Sequence, residues 1–237
     1  MDEWERRAEA RAEKPRDFRL ALASRAPAII AEAKKASPSR GVLAADFDPA
    51  RLAAAYQRGG AAAISVLTDE AFFQGSLADL EAARAAVTLP VLRKDFTIAA
   101  PQVVEAAAHG ADAILLIAAI LSEREMRDFR ESATRFRMDA LVEVHNRREL
   151  RTALGAGAEI VGVNNRNLKT FEVTLETSLQ LADDIPVGVL KISESGIHSR
   201  EDIQRLARAG FRAFLVGEHL LKSASPGAAL GALAGPA

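Results

Sequence analysis

Short hydrophobic runs, rich in β-branched and aliphatic residues, recur along the chain with helical stretches between them. Their starts are roughly 20 to 35 residues apart, the length of a strand and a returning helix. The runs are apolar on both faces, which is typical of parallel strands covered on both sides. We therefore predict eight strands, at residues 28–33, 62–67, 90–94, 113–117, 140–144, 159–164, 187–193 and 213–217.

A loose internal repeat supports this series of β–α units. Glycine followed by small and apolar residues recurs at Gly60, Gly110 and Gly157, with a looser copy at Gly210. Each glycine is predicted to end a helix in a left-handed conformation just before a strand. Eight such units favour an α/β fold with a single closed (β/α)8 TIM barrel. An open doubly wound sheet more often has five or six strands and a glycine-rich first turn, and no G-x-G-x-x-G motif is present.

We interpret residues 1–237 as one domain. The charged segment 1–27 is predicted to form a short N-terminal helical extension that covers the bottom of the barrel. The barrel itself is assigned to residues 28–230. The remaining segment, 231–237, is rich in alanine, glycine and proline, and we expect it to fray.

Composition and charge exclude several classes of protein. Lys and Arg total 31 against 32 Asp and Glu, so nothing indicates a nucleic-acid or membrane partner. The absence of cysteine excludes disulfides, thiolate catalysis and zinc–thiolate sites. The N-terminus lacks the apolar core of a secretory signal, and the longest apolar stretch, 113–121, is too short to span a bilayer. We expect a cytoplasmic protein that is a monomer or a weak homo-oligomer.

Polar side chains occupy the carboxyl ends of several predicted strands, where the active sites of TIM barrels lie. Alternation along a strand directs them into the barrel, as where Lys94 follows Leu92 and Glu143 follows Leu141. One such charge is often a structural ion pair, but six polar groups at one end of a barrel are hard to explain as packing. This ring is predicted to contain Glu32, Lys34, Lys94, Glu143, Asn164 and Glu194.

Such a ring suits proton transfers around a carbonyl group and favours an anionic substrate. A phosphate site is predicted beside it, because the seventh and eighth strands end at Ser195-Gly196 and at Gly217. Barrels frequently bind phosphate there through backbone N–H groups before a helix. Glu218 belongs to the same turn, and we expect its side chain to point away from the phosphate.

With these residues in place, the chain resembles the indole-3-glycerol-phosphate synthase family over residues 17–230. The resemblance is carried by IIAEAKKASPSRG at 29–41, SVLTDEAFFQGS at 65–76, LPVLRKDF at 89–96, ADAILLIAAIL at 111–121, LVEVH at 141–145, GVNNRNLKTFEV at 162–173, SESGI at 193–197 and LVGEHLL at 215–221. Family members usually carry a longer segment before the first strand, and we expect this departure to leave the matched catalytic positions unaffected.

The resemblance implies ring closure, decarboxylation and dehydration of 1-(2-carboxyphenylamino)-1-deoxy-D-ribulose 5-phosphate, without a cofactor or metal. It implies that Lys94 is the general acid and that Glu143 is the general base in dehydration. Lys34 would contact anionic groups of the substrate, and Glu32 would orient the two lysines. The other matched positions that line the site or cradle the phosphate are Asn164, Arg166, Glu194, Ser195, Gly196 and Gly217.

The aromatic ring of this substrate needs an apolar slot. Residues at or just past strand ends could supply it: Phe73, Phe96, Leu115 and Leu168. We interpret Phe72 and Leu116 as ordinary barrel packing. The polar loop 36–41 is interpreted as a lid in which Ser37 contacts substrate. Of the four histidines, only His145 is predicted near the mouth.

The sequence leaves two alternative functions open. One is a related phosphate-binding barrel isomerase, such as phosphoribosylanthranilate isomerase. Its chemistry typically uses a cysteine and an aspartate, so the absence of cysteine argues against it. The other is a non-catalytic protein that binds a phosphorylated ligand. It would predict loss of the lysines and glutamates while the glycines remain, and here all of them are present.

Overall fold

Eight parallel strands close into one barrel in the computed structural model, which describes residues 3–38, 41–44 and 46–235. The strands are β1 Ala28–Ala33, β2 Ala63–Leu67, β3 Val91–Lys94, β4 Ala113–Ile117, β5 Asp139–Val144, β6 Ile160–Asn164, β7 Leu190–Glu194 and β8 Ala213–Val216. Each strand pairs with its neighbours in sequence, and β8 closes onto β1 with Ala213 beside Ala28. The predicted (β/α)8 barrel is confirmed.

Helices cover the outside of the barrel and its amino-terminal end. They are α1 Glu3–Ala12, α2 Phe18–Ala23, α3 Pro49–Arg58, α4 Glu70–Phe73, α5 Leu77–Ala86, α6 Ala100–Ala108, α7 Glu123–Arg135, α8 Arg147–Gly155, α9 Glu176–Leu181, α10 Arg200–Arg208, α11 Glu218–Leu221 and α12 Pro226–Ala234. A 3₁₀ turn, Ala182–Asp184, follows α9, and a short antiparallel pair, Ala36–Ser37 with Gly41–Val42, lies in the loop after β1. Within the described ranges no helix is long and apolar enough to cross a membrane.

Local sequence signals set many of the helix limits. Short polar side chains accept the backbone N–H three residues ahead at the starts of α3, α5, α7, α8 and α10; they are Asp48, Ser76, Ser122, Asn146 and Ser199. The glycines of the internal repeat adopt positive φ between helix and strand, with 93° at Gly60 and 92° at Gly110. Because a side chain is strained in this conformation, the repeat marks where each helix must stop.

Two apolar layers follow from the alternation of side chains along the strands. One layer fills the barrel interior and includes Ile30, Leu92, Leu115, Leu141, Ile160, Ile192 and Leu215. The other layer lies between the strands and the helices and includes Ile29, Ile64, Val91, Ile114, Val142, Val161 and Phe214. The inward positions that continue the first layer towards the carboxyl ends of the strands are polar, which places the predicted ring at the barrel mouth.

The N-terminal helices close the opposite end of the barrel. Phe18 and Leu22 of α2 are fully buried and pack into the interior layer. Asp112, which precedes β4, is also buried and forms ion pairs with Arg11 of α1 and with Arg84 of α5, the latter at 3.2 Å. The backbone N–H of Val91 donates to the same carboxylate at 3.0 Å. Asp112 therefore joins the N-terminal extension to the barrel.

Two predicted boundaries were wrong, while the other strand limits agree within one residue. Strand β7 begins at Leu190 rather than at residue 187, because a turn precedes it in which Gly188 has a φ of 97° and Val187 is fully exposed. The segment expected to fray from residue 231 continues as helix α12 to residue 234, because Leu230 and Leu233 are buried against the barrel. Residues 236–237 lie outside the described part of the chain.

Replacement of Asp112 by alanine is expected to lower the free energy of unfolding by about 3 to 5 kcal/mol, because the buried Arg11 side chain loses the carboxylate with which it pairs. Glu81→Ala serves as the control: Glu81 also pairs with α1, through Arg7 at 2.7 Å, but on the surface. It should cost about 1 kcal/mol or less. Urea denaturation measures both changes, and equal losses for the two variants would contradict the role assigned to Asp112.

Candidate active site

A cavity of about 310 Å³ lies at the carboxyl ends of the strands. It brings together thirteen residues singled out from the sequence: Glu32, Lys34, Ser37, Phe73, Lys94, Phe96, Leu115, Glu143, Asn164, Arg166, Leu168, Ser195 and Glu218. Glu194 lies within contact distance of Lys94, and Gly196 and Gly217 adjoin lining residues of the cavity. A larger hollow of about 680 Å³, between α3 and α12, is lined by none of these ionisable groups.

Lys94 lies at the centre of the polar groups. Its Nζ atom is 3.2 Å from Oε2 of Glu143 and 3.7 Å from Oε2 of Glu194. Burial disfavours the charged ammonium, but the attraction of Glu143, Glu194 and Glu32 outweighs burial and raises the pKa of Lys94 above its ordinary value. The lysine is therefore a protonated cation whose side chain is only 14% exposed.

The two glutamates beside Lys94 differ in charge. Burial acts to raise the pKa of both carboxyl groups. At Glu143 the attraction of Lys94 and His145, with hydrogen bonds to Lys94 and Asn164, outweighs burial and lowers the pKa. At Glu194 burial prevails over the attraction of Lys94, and repulsion by Glu143 and Glu32 adds to it, which raises the pKa to about 8. One lysine thus contacts an ionised carboxylate and a protonated carboxylic acid.

The second lysine of the ring forms its own pair at the end of β1. Lys34 Nζ lies 2.5 Å from Oε1 of Glu32. Burial opposes ionisation of Glu32, but Lys34 and Lys94 together lower its pKa. Glu32 also lies against the end of β8, where a Cβ atom on Gly217 would be only 2.4 Å from Oε1 of Glu32. Gly217 therefore makes room for the Glu32 carboxylate.

The loops after β6 and β7 form another side of the cavity. The backbone N–H of Arg166 donates to Oδ1 of Asn164 at 3.0 Å. Ser195 and Gly196 both adopt positive φ, 67° and 77°. Glu218 lines the cavity, and its carboxylate lies 3.7 Å from Arg166 and 2.6 Å from Lys222. Its orientation relative to the phosphate stays a prediction.

Aromatic and aliphatic side chains line the outer part of the cavity. Phe96 stacks edge-on with Phe72, with ring centroids 6.0 Å apart, and lies 6.4 Å from Phe73. Phe72 was interpreted as packing, but it is 56% exposed and lines the cavity, because it lies on the short helix α4 above the strand ends. Leu116 is fully buried in the outer layer, as predicted. The cavity is also lined by apolar residues that were not predicted from the sequence, namely Leu43, Leu67, Ile117, Ile120 and Phe171.

Two further polar residues contact members of the ring: His145 contacts Glu143, and Asn165 contacts the backbone of Glu194. His145 lies with Nε2 3.4 Å from Oε1 of Glu143, and its Nδ1 is 3.0 Å from Oε2 of Glu149. Asn165 is buried beside Ser193 and Ser195. His145 could be placed near the mouth from its spacing after Glu143, whereas Asn165 points outward from its strand and gave no signal. The described residues hold no group of three or more His, Asp or Glu side chains suited to a metal ion.

Comparison with known proteins identifies close relatives. A family model described as indole-3-glycerol phosphate synthase matches residues 2–233. The indole-3-glycerol phosphate synthase of Koribacter versatilis is 53% identical over 93% of this chain and 86% of its own length. That of Leptothrix cholodnii is also 53% identical, over 91% of this chain and 82% of its own length.

Solved structures of lower identity share the fold. A tryptophan synthase α-subunit from Pyrococcus furiosus superposes with a TM-score of 0.66 at 16% identity, covering 88% of this chain and 98% of that chain. An N-acetylmannosamine-6-phosphate 2-epimerase from Clostridium perfringens gives 0.67 at 18% identity, covering 84% and 89%. At this identity the likeness shows the barrel fold alone.

The raised pKa of Glu194 predicts a specific pH dependence of stability. Between pH 4.5, its ordinary pKa, and about pH 8, the folded chain keeps a proton that the unfolded chain has released. Folding therefore becomes less favourable as the pH rises through this window. The Glu194→Gln variant lacks this titrating group. The free energy of unfolding of the variant minus that of the wild type should therefore increase with pH across the window and stay constant above it.

Chemical denaturation at a series of pH values measures this difference. Glu125→Gln is the control: the exposed Glu125 has a lowered pKa in the folded chain, so from about pH 6 upward it is ionised in both the folded and the unfolded chain. Its difference from the wild type should stay constant. A difference for Glu194→Gln that is equally constant would show that Glu194 is ionised in the folded protein.

Proposed function

The chain belongs to the indole-3-glycerol phosphate synthase family, and we propose here how its cavity performs the reaction of that family. The protein is a carboxy-lyase of tryptophan biosynthesis. Its substrate is 1-(2-carboxyphenylamino)-1-deoxy-D-ribulose 5-phosphate, which is converted to indole-3-glycerol phosphate, carbon dioxide and water. The observation that carries our assignment of roles is the position of the Lys94 ammonium between Glu143 and Glu194.

Substrate binding uses both the positively charged and the apolar residues that line the cavity. Lys34 and Arg166 offer positive charge to an anionic substrate, which carries a carboxylate and a phosphate. The aryl ring packs against Phe96 and its aromatic neighbours, with Leu115 and Leu168 completing the apolar slot. Ser37 contacts the substrate from the loop after β1. With the substrate bound in this way, we propose that the ribulose carbonyl lies over Lys94.

Ring closure forms a bond between the aryl carbon that bears the carboxylate and the carbonyl carbon of the ribulose chain. Lys94 donates a proton to the carbonyl oxygen, which becomes a hydroxyl group. The bond to the carboxylate then breaks, carbon dioxide leaves, and its electron pair restores the aromatic ring. Glu32 holds Lys34 beside the reacting groups.

Dehydration completes the indole. A proton from Lys94 leaves with the hydroxyl group as water, and Glu143 accepts a proton from the neighbouring ring carbon. Lys94 thus donates twice, and Glu194, which keeps a carboxylic proton to about pH 8 and lies 3.7 Å away, restores the ammonium between the two steps. The substrate therefore takes two protons from Lys94 and returns one to Glu143. The net uptake of one proton equals the one proton that the overall reaction consumes.

The phosphate binds where the loops after β7 and β8 approach each other. The backbone N–H groups of Ser195, Gly196 and Gly217 are the donors, and Lys34 adds positive charge nearby. Ser195 and Gly196 are consecutive residues of positive φ, a backbone conformation that leaves N–H groups exposed to a ligand. The carboxylate of Glu218 pairs with Arg166 and Lys222 and so adds little net charge against the phosphate.

Replacement of Lys94 by methionine should lower kcat by a factor on the order of 10² to 10⁴, because the variant lacks the general acid but keeps similar volume. Fluorescence of the indole product measures turnover. Lys14→Met, at an exposed lysine on the other side of the barrel, is the matched control and should keep the wild-type kcat. A Lys94→Met variant that folds and retains most of its turnover would rule out the role of Lys94 as general acid.

Replacement of Gly196 by alanine should weaken phosphate binding. Gly196 has a φ of 77°, and a Cβ atom there would lie 2.6 Å from Cγ1 of Val173, so the loop must shift. We expect the KM of the substrate and the inhibition constant of inorganic phosphate each to rise roughly tenfold, the loss of one good hydrogen bond to a charged group.

Gly188→Ala is the matched control for this variant. Gly188 has a φ of 97°, but no atom lies within 4 Å of the added methyl group, and the turn is remote from the cavity. It carries a comparable backbone strain, and it should leave both constants unchanged. If Gly196→Ala binds inorganic phosphate as well as the wild type does, the phosphate lies elsewhere.

A further inference from the structure

Asn165 is a buried amide whose hydrogen bonds are fully occupied by protein groups. Its Oδ1 atom accepts from the backbone N–H of Ser178 at 3.0 Å and from the Ser178 hydroxyl at 2.8 Å. Its Nδ2 atom donates to Oγ of Ser193 at 2.9 Å and to the carbonyl oxygen of Ser195 at 3.0 Å. These four contacts use both donors and both lone pairs of the amide, and they fix its orientation.

The bond to the Ser195 carbonyl has a consequence for the next residue. The C=O of Ser195 and the N–H of Gly196 belong to one planar trans peptide, in which they point in opposite directions. Asn165 holds this carbonyl on the side away from the cavity, and the N–H of Gly196 therefore faces the other way. Ser195 adopts a φ of 67°, which a residue with a side chain rarely occupies without outside support.

Backbone contacts tie Asn165 to the same region. Its N–H donates to the carbonyl of Glu194 at 2.9 Å, and its carbonyl accepts from the N–H of Thr174 at 3.1 Å. The residue thus joins the end of β6, the end of β7 and the return of the loop between them. Because only 1% of Asn165 is exposed, water does not compete for these bonds.

We propose that Asn165 is a positioning residue that holds the Ser195–Gly196 peptide in the orientation that receives the substrate phosphate. The inference rests on the proposed function, in which this peptide is a phosphate donor. An asparagine is required because the position must accept from Ser178 and donate to Ser195 at the same time. Asn165 touches no substrate atom itself, and its effect is confined to the phosphate end of the site.

Asn165→Asp tests this role with almost no change in volume. The aspartate keeps the two contacts with Ser178, and the hydroxyl of Ser193 can rotate to donate to it. The carbonyl of Ser195 carries no proton, so it faces a repelling carboxylate and the peptide turns away. We expect the KM of the phosphorylated substrate and the inhibition constant of inorganic phosphate to rise roughly tenfold or more. The kcat/KM of the dephosphorylated substrate should stay within about threefold of wild type, because the catalytic ring is unchanged.

Ser178→Ala is the matched control within the same network. It removes the hydroxyl on the acceptor side of Asn165 and leaves the bond to Ser195. It should lower the melting temperature without changing phosphate inhibition. Asn165→Ala, which removes the amide without adding charge, provides the same comparison if the aspartate variant does not fold.

Each outcome decides between a positioning role and a merely structural one. Equal losses with the phosphorylated and dephosphorylated substrates, or the same phosphate defect in Ser178→Ala, would overturn the proposal. Unchanged phosphate inhibition in the Asn165 variants would also overturn it, provided that Gly196→Ala weakens phosphate binding. If Gly196→Ala has no effect either, the proposed phosphate site itself is wrong.

Discussion

The ammonium group of Lys94, held between two buried carboxyl groups, is the interaction on which the site depends. Removal of a charge from water is costly unless an opposite charge and hydrogen bonds compensate for it. Here Glu143 and Glu194 lie within 3.7 Å of the lysine. Three buried glutamates face two lysines, so one carboxyl group can be neutral without leaving a cation uncompensated. This balance leaves Glu194 protonated and Glu143 ionised.

The closed barrel makes such an arrangement possible. Apolar side chains such as Leu92, Leu141 and Ile192 fill the interior beneath the ring and exclude water from below. Successive inward positions on different strands then place acid and base groups a few ångströms apart, although they are far apart in sequence. The N-terminal helices close the other end through Phe18 and Asp112, which leaves the carboxyl ends of the strands open for substrate.

The series of strands could be predicted from the repeated apolar runs along the chain. The inward polar groups could be predicted because side chains alternate between the two faces of a strand. The same rule could not predict which charge pairs with which, because this depends on distances between strands. Glu218 illustrates the limit: its pairing with Arg166 joins two loops that the sequence separates. Phe72 and Asn165 were missed for a related reason. Neither lies on the inward face of a strand, and each reaches the site through tertiary contacts.

The division of charge between the two glutamates is the central claim, and carboxyl ¹³C NMR tests it most directly. In protein labelled with ¹³C-glutamate, with the two signals assigned through Glu→Gln variants, the carboxyl signal of Glu194 should titrate with a midpoint near pH 8. The Glu143 signal should be that of an ionised carboxylate at neutral pH. Two ionised signals at pH 6 would contradict this account, because no acid would then remain beside Lys94 to restore its proton.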